Sequence, residues 1–357
     1  MKRTKLSFFA FLILFTCLFF SFNPFIKDKP YIFPEINYFP VMPVSASNSV
    51  TINGVELGRY LFYDPILSFD SSISCASCHK QEFAFSDSPN QFSKGIYQQL
   101  QNRNTMPLFN LAWYPNLFWD GRAETIEQQV FHPVRDKKEM SINWKEAEKK
   151  IKRNKFYKKL FNKTFGKIEI DSNLISKAIA QFERTLISYN AKYDKVLRHE
   201  AKFTMEELEG LELLNDMTKG NCLHCHTTDA NGLGTTGEFS NNGLDEVSNS
   251  LDFKDIGRAK TTKKDVDIGK FKIPSLRNLL FTAPYMHDGR FKTLEEIVNF
   301  YSEGLKISPT IDSKMEFAHN RGSKFTNLEK KKIIAFLKTL SDSSFIKDKR
   351  FSNPFSK

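Results

Sequence analysis

Apolar residues recur at helical spacing in several parts of the chain. The clearest case is the stretch 174–186, whose apolar face is formed by Leu174, Ile175, Ala178, Ile179, Phe182 and Leu186. Further helix starts are indicated by the S/T-x-x-E/Q pattern of a capping box. These patterns lie at Thr125–Gln128, Thr204–Glu207, Thr293–Glu296 and Thr326–Glu329. No long series of alternating apolar and polar residues occurs, so we expect a mainly α fold with long loops.

The N-terminus combines basic residues with an uninterrupted apolar run. Lysines and an arginine in the first positions precede the run Leu6–Phe22, which has the pattern of a signal peptide. No small-x-small cleavage site follows directly, so residues 1–22 are predicted to be either a signal peptide or a membrane anchor. The proline-rich stretch 23–48 is predicted to be a linker. We therefore expect export to the periplasm or cell envelope, with or without an inner-membrane tether.

Composition limits the number of domains and the kinds of partner. The chain has 357 residues, of which 40% are hydrophobic, and 35 are phenylalanine. This is enough apolar material for two domains with cores of their own. The formal net charge of +11 fits an acidic protein partner or an anionic membrane surface, or simply keeps the protein soluble. The lysines lack the basic–aromatic interleaving of a nucleic-acid-binding stripe, so we expect no nucleic acid partner.

Two short stretches, CASCH at 75–79 and CLHCH at 222–226, share the pattern C-x-x-C-H. Of the five cysteines, Cys17 lies in the N-terminal apolar run and the others all belong to these motifs. One zinc site built from both motifs would leave histidines over, since structural zinc takes four ligands. C-x-x-C-H is instead the attachment pattern of haem c, with two thiols on the porphyrin and the histidine on the iron. We predict two covalent haem c groups, held by Cys75, Cys78 and His79 and by Cys222, Cys225 and His226.

Each motif lies early in its own segment and is followed by predicted helices. The chain is therefore predicted to form two cytochrome c-like haem domains. The N-terminal domain spans 49–199, the C-terminal domain spans 200–345, and a tail follows at 346–357.

Several blocks of the sequence resemble the bacterial di-haem cytochrome c peroxidases and their MauG-like relatives, in order and in spacing. The blocks are LFYDPILSFDSSISCASCHKQEFAFSD (61–87), NRNTMPLFN (102–110), FWDGRAETIEQQ (118–129), FERTL (182–186) and IPSLRNLLFTAPYMHDGRFKTLEE (273–296). The resemblance implies an enzyme in which the N-terminal haem reduces hydrogen peroxide. Electrons would come through the C-terminal haem from a small donor protein such as a c-type cytochrome or a cupredoxin.

The resemblance also implies roles for residues around the first haem. Gln129 and Glu139 match the distal glutamine and glutamate, and a carboxylate there would move a proton between the peroxide oxygens. A solvated surface charge is the alternative for Glu139. Gly95 occupies the position at which some members carry a removable histidine, so we expect this haem to have an open face. His132 is the other side chain that could approach that face.

Further matches concern the space between the two haems. Trp119 matches a tryptophan that lies between them and could relay oxidising equivalents, with a packed core aromatic as the alternative. Asn104, Thr282 and Pro284 match the residues that bind a calcium ion through oxygen atoms.

The expected sixth ligand of the second haem departs from the commonest pattern. Cytochrome-oxidising members carry a methionine at the position of Tyr301, and Met286, beside His287, is a rival ligand. A tyrosinate is a hard anionic donor that stabilises high oxidation states, so Tyr301 places the chain nearer the MauG-like branch. A core aromatic is again the alternative. The surface tryptophan used by the best-known member of that branch is replaced here by Lys219 and Gly220.

The predicted function is therefore that of a di-haem c-type peroxidase. The alternatives are a MauG-like oxidase of side chains on a protein partner and a non-enzymatic di-haem electron carrier. A carrier would need six ligands on both irons, and Gly95 and the Gln129–Glu139 pair argue against that.

Overall fold

The computed structural model describes residues 28–43, 45–228 and 232–356. Within them the α-helices are α1 (Ile52–Tyr63), α2 (Cys75–Cys78), α3 (Ile126–Arg135), α4 (Trp144–Arg153), α5 (Lys155–Phe165), α6 (Ser172–Thr185), α7 (Lys192–Leu197), α8 (Met205–Asn215), α9 (Ala259–Thr262), α10 (Leu294–Asn299) and α11 (Asn327–Thr339). The residue after α10 begins a π-helical turn, Phe300–Gly304.

Strand structure is confined to one short pair in the part of the chain that is described. Strand β1 (Phe239–Ser240) pairs antiparallel with β2 (Phe271–Lys272). The prediction of a mainly helical protein is therefore confirmed. The predicted signal or anchor at 1–22 lies outside the described residues. Among the residues that are described, no helix is both long enough and apolar enough to cross a membrane.

The predicted capping boxes mark real helix starts. The hydroxyl oxygens of Thr204 and Thr326 each accept a hydrogen bond from the backbone N–H of the glutamate three residues on. The carboxylate of that glutamate in turn accepts one from the threonine N–H. Thr125 and Thr293 likewise cap α3 and α10. A cap of this kind is worth about 0.5–2 kcal/mol, which is enough to set where a marginal helix begins.

Each half of the chain has a core made by its first and last long helices. In the N-terminal half α1 packs on α6, where Leu57, Leu61 and Ile175 are fully buried. In the C-terminal half α8 packs on α11, around Leu214 and Phe336. Both helix pairs lie very close, because a Cβ at Gly58 or at Gly210 would collide with a backbone carbonyl of the opposite helix.

The described residues of the segments predicted to be linker and tail lie against the rest of the protein. Phe39 packs edge-on against Trp113. Near the C-terminus, Phe351 is buried in the aromatic core of the N-terminal half, and its carbonyl accepts a 2.7 Å hydrogen bond from the hydroxyl of Tyr63. These contacts position both segments, while the division at 199 and 200 stays a prediction.

A fully buried ion pair joins the two halves. The Arg277 guanidinium donates to the Asp194 carboxylate at 2.9 Å, and neither side chain is exposed. Arg277 also donates to the carbonyl of Gly232 at 2.6 Å. The pair therefore ties α7 to the loops that follow the second C-x-x-C-H motif.

We expect Asp194→Asn to lower the free energy of unfolding by about 3–5 kcal/mol, because it leaves a buried guanidinium without its counter-charge. Denaturant titration of the full chain measures this. The control is Lys163→Met, which breaks the exposed pair with Glu56 and should change stability by about 1 kcal/mol or less. Equal effects of the two variants would contradict the prediction.

Candidate active site

The first C-x-x-C-H motif is held by a short helix and a backbone hydrogen bond to its histidine. Cys75–Cys78 form α2, and Ser74 with Ser77 closes its first turn. The ring of His79 lies 2.8 Å, through Nδ1, from the carbonyl oxygen of Phe85. A carbonyl only accepts, so Nδ1 donates and Nε2 keeps its lone pair. Burial lowers the pKa of His79, which favours the neutral ring that binds a metal.

The second motif repeats this arrangement. Cys222–His224 form a 3₁₀ turn, which begins after Asn221 in the left-handed conformation. The Nδ1 of His226 donates to the carbonyl oxygen of Pro274 at 3.0 Å. Burial lowers the pKa of His226 to about 4. Both histidines are thus neutral and present Nε2 as their free nitrogen.

A cavity of about 330 Å³ lies beside the first motif and is lined by most of the residues predicted around the first haem. It is lined by Cys78 and His79, and also by Trp119, Gln129 and Glu139. Its volume falls in the range of ligand-binding pockets. Residues that are far apart in the sequence therefore meet around one space.

The carboxyl group of Glu139 has an unusual acidity. Its pKa is raised to about 7, mainly by burial and also by the negative charge of Asp136, while Arg122 acts in the opposite direction. The backbone N–H of Glu139 donates to the carbonyl of Asp136 at 3.0 Å. A carboxyl group of this pKa can both accept and return a proton near neutral pH.

Gly95 lies directly against the turn that carries Glu139. The N–H of Ile96 donates to the carbonyl of Glu139 at 3.1 Å, and Gly95 is buried. A Cβ at position 95 would collide with the carbonyl of Lys138. A histidine would therefore not fit at this position without moving the loop or the turn.

We expect Gly95→Ala to lower the free energy of unfolding by about 1–3 kcal/mol, because the added methyl group overpacks this contact. The peroxide reaction should slow as well, since the turn that holds Glu139 has to shift. Denaturant titration and stopped-flow mixing with peroxide measure the two effects. Gln99→Ala, on the exposed side of the same loop, is the control; a Gly95→Ala protein as stable as this control would refute the expectation.

Trp119 is positioned by one hydrogen bond to its indole ring and one to its backbone. Its side chain is 8% exposed, and Nε1 donates to the carbonyl oxygen of Asn104 at 2.8 Å. Its own carbonyl accepts from the N–H of Lys272 at 2.8 Å. Trp119 therefore connects the wall of the cavity to strand β2 of the C-terminal half.

One of the residues suggested for calcium, Asn104, contacts the segment that follows the other two. The N–H of Asn104 donates to the carbonyl of His287 at 2.7 Å, and His287 follows Thr282 and Pro284 in the sequence. Within the described residues no cluster of three or more histidine, cysteine or carboxylate side chains could hold a metal ion. Any calcium here would depend on amide and carbonyl oxygens.

Tyr301 and Met286, the two candidate sixth ligands of the second haem, both contact the side chain of Asn242. The Nδ2 of Asn242 donates to the Tyr301 hydroxyl at 3.0 Å and lies 3.6 Å from the Met286 sulfur. Burial raises the pKa of Tyr301 to about 12, the hydrogen bond from Asn242 lowers it, and charge on Cys222 and Cys225 would raise it further. The hydroxyl therefore lies near the second motif. Tyr301 belongs to the π-helical turn, a feature common at functional sites.

Comparison with known proteins identifies the family. The family model described as Di-haem cytochrome c peroxidase matches residues 52–202. The cytochrome c551 peroxidase of Nitrosomonas europaea is 34% identical, over 85% of this chain and 84% of the relative. The methylamine utilization protein MauG of Methylophilus methylotrophus is 31% identical, over 84% of this chain and 85% of the relative. The chain belongs to the di-haem cytochrome c peroxidase family.

Solved structures agree with this assignment. The crystal structure of a MauG-like protein associated with microbial copper homeostasis has a TM-score of 0.83 and 30% identity, and the match covers 91% of this chain and all of that one. The diheme peroxidase BthA from Burkholderia thailandensis E264 shares the fold, with a TM-score of 0.73 at 21% identity. The family is one of peroxidases, which confirms the prediction of an enzyme over that of an electron carrier.

Membership of this di-haem family implies two c-type haems, and the residues present fit them. The cysteines of both motifs are free thiols, and each following histidine presents Nε2. Beside the second motif, the buried polar atoms Asn221 Nδ2 and Thr228 Oγ1 have no hydrogen-bond partner among the described residues. Such groups are expected where a polar cofactor edge completes the site.

Sequence reasoning missed several residues of this di-haem peroxidase site. Asn242, which joins Tyr301 and Met286, lies in a loop with no local pattern around it. Lys272 lines the cavity, but a single lysine in a lysine-rich chain gives no signal. Arg122 acts on Glu139 through space, and only the folded structure brings the two near, whereas Asp136 acts from the same turn.

Proposed function

We propose that this di-haem peroxidase reduces hydrogen peroxide at the haem held by Cys75, Cys78 and His79. The observation that carries the proposal is the cavity in which Glu139, with a pKa of about 7, and Gln129 share the walls with His79 and Cys78. An acid–base carboxyl group beside a metal-binding histidine is what cleavage of the O–O bond requires.

The chain's own groups have distinct tasks in this scheme. When bound, the haem supplies the electrons that split the O–O bond. The Glu139 carboxylate accepts the proton of the attacking peroxide oxygen and returns it to the leaving oxygen. The amide of Gln129 orients the peroxide by hydrogen bonding, and the turn around Gly95 leaves the open face free of a competing side chain.

We further propose that electrons reach this site through the second haem, held by Cys222, Cys225 and His226. Tyr301 is the proposed sixth ligand there, and Trp119 the relay between the two haems. Calcium bound by Asn104, Thr282 and Pro284 would stiffen the loops between them. The electron donor is a c-type cytochrome or a cupredoxin, reached after export to the periplasm or cell envelope, with the segment 1–22 as signal or tether.

A second candidate is oxidation of side chains on a protein partner, as in a MauG-like oxidase. The proximity of Tyr301 to the second motif favours it, together with the MauG-named relatives. The absence of a tryptophan at Lys219 and Gly220 argues against the route of the best-known member. The copper association of the MauG-like relative makes a cupredoxin the first donor to examine.

A turnover assay with hydrogen peroxide distinguishes the peroxidase from the oxidase of protein side chains. Purified holoenzyme is mixed with hydrogen peroxide and either reduced c-type cytochrome or reduced cupredoxin, and donor oxidation is followed optically. Rapid oxidation of either donor supports the peroxidase. Peroxide consumption with neither donor oxidised would favour a protein substrate, and no peroxide consumption at all would overturn the proposal.

A further inference from the structure

Lys272 is a buried lysine whose position is fixed by its backbone. It lies on β2 opposite Phe239, its N–H donates to the carbonyl of Trp119 at 2.8 Å, and the residue is only 3% exposed. Its side chain lines the cavity that contains Cys78 and His79. The ammonium group is therefore held at the place where the two halves of the chain meet.

The surroundings of this ammonium group hold no acidic counterpart. Its Nζ donates to the carbonyl of Asn116 and lies 4.7 Å from the ring centroid of Tyr114. Across the residues described, no carboxylate lies within ion-pair distance of it. The charged group that acts on it is the guanidinium of Arg258, which carries the same sign and stacks 3.7 Å above the ring of Phe239.

Burying a cation in this way is unfavourable unless an anion joins it. Burial, and then the charge of Arg258, lower the pKa of Lys272 to about 7 in the protein without a partner anion. The carbonyl of Asn116 and the face of Tyr114 are weak acceptors for a full charge. An anion that enters the cavity would supply the counter-charge that the described residues do not provide.

We propose that the ammonium group of Lys272 pairs with a carboxylate of the haem bound through Cys78 and His79. A haem brings carboxylates with it, and its attachment to Cys78 and His79 places it in the cavity that Lys272 lines. Lysine has donors to spare beyond the Asn116 carbonyl. The ion pair would hold the haem in place and, since β2 also binds the Trp119 carbonyl, would fix the haem relative to Trp119.

This inference rests on the proposed attachment of a haem at His79 and not on peroxide reduction. Its electrostatic consequence is measurable without turnover. A positive charge beside the haem favours the reduced iron, so the pair should raise the midpoint potential of that haem. Removing the charge should lower it.

The test compares holoenzymes of Lys272→Met, Lys272→Arg and the control Lys270→Met. Lys270 lies just before the same strand and pairs with Asp267 at 3.3 Å, so its loss removes equal charge from a less buried position. Spectroscopic redox titration should show a lower midpoint potential for one haem in Lys272→Met, with Lys272→Arg and Lys270→Met close to the unmodified protein. Equal midpoint potentials in the three variants and the unmodified protein would overturn the proposal.

Infrared difference spectra of protein grown with haem labelled with ¹³C at its carboxylates give an independent reading. The labelled carboxylate bands should shift in Lys272→Met and remain unchanged in Lys270→Met. If Lys272→Met does not take up haem, Lys272→Arg decides, because a guanidinium partner shifts the same bands. Carboxylate bands of Lys272→Arg identical to those of the unmodified protein would then refute the pairing.

Discussion

Glu139→Gln is expected to slow the reaction of the holoenzyme with hydrogen peroxide by about 10²–10⁴-fold, with both haems still bound. Glutamine keeps the size and hydrogen bonding of glutamate but cannot accept the proton of the peroxide. Stopped-flow mixing measures the rate, and the absorbance of the bound haem confirms the cofactor content. Glu124→Gln, which neutralises an exposed carboxyl group just before α3, is the matched control and should react at the normal rate.

The same residue should govern the dependence of the rate on pH. The pKa of Glu139 is raised to about 7, so below that pH the carboxyl group is increasingly protonated and cannot act as a base. The rate should therefore rise about tenfold for each pH unit up to pH 7 and then level. Asp136→Asn removes a charge that raises the pKa of Glu139, so its profile should shift to lower pH. A pH profile retained in Glu139→Gln would show that another group carries the proton.

Tyr301→Phe is expected to change the spin state of the second haem. If the Tyr301 oxygen is the sixth ligand, phenylalanine leaves that position empty, and the low-spin signal in the EPR spectrum of the oxidised protein should become high-spin. Tyr301→Met would instead supply a neutral, softer ligand, and the midpoint potential of that haem should rise. Redox titration and EPR together measure both changes.

Two controls separate ligation from packing. Tyr285→Phe removes a hydroxyl whose 2.7 Å hydrogen bond goes to the carbonyl of Leu279, so it should leave the spectrum unchanged. Met286→Leu removes the rival sulfur, which shares Asn242 with Tyr301. A spectrum altered by Met286→Leu and untouched by Tyr301→Phe would make Met286 the ligand and place the chain outside the tyrosine-ligated branch.

The sequence alone determined several of the helices and the cofactor class of this protein. The starts at Thr125, Thr204, Thr293 and Thr326 were predictable because a capping box acts within one turn and needs no distant contact. The mainly helical fold followed from the spacing of apolar residues. The C-x-x-C-H motifs indicated c-type haem because all three attachment groups lie within five consecutive residues.

Only the tertiary structure decided how these elements act on one another. The pKa of Glu139 depends on burial, on Asp136 in its own turn and on Arg122, which lies on a different segment. The collision that excludes a side chain at Gly95 and the hydrogen bond from Asn242 to Tyr301 each involve a loop with no periodic pattern. Electrostatic and steric effects of this kind act over a few ångströms in space. In a chain with long loops, the separation of two residues in the sequence does not predict whether they come that close.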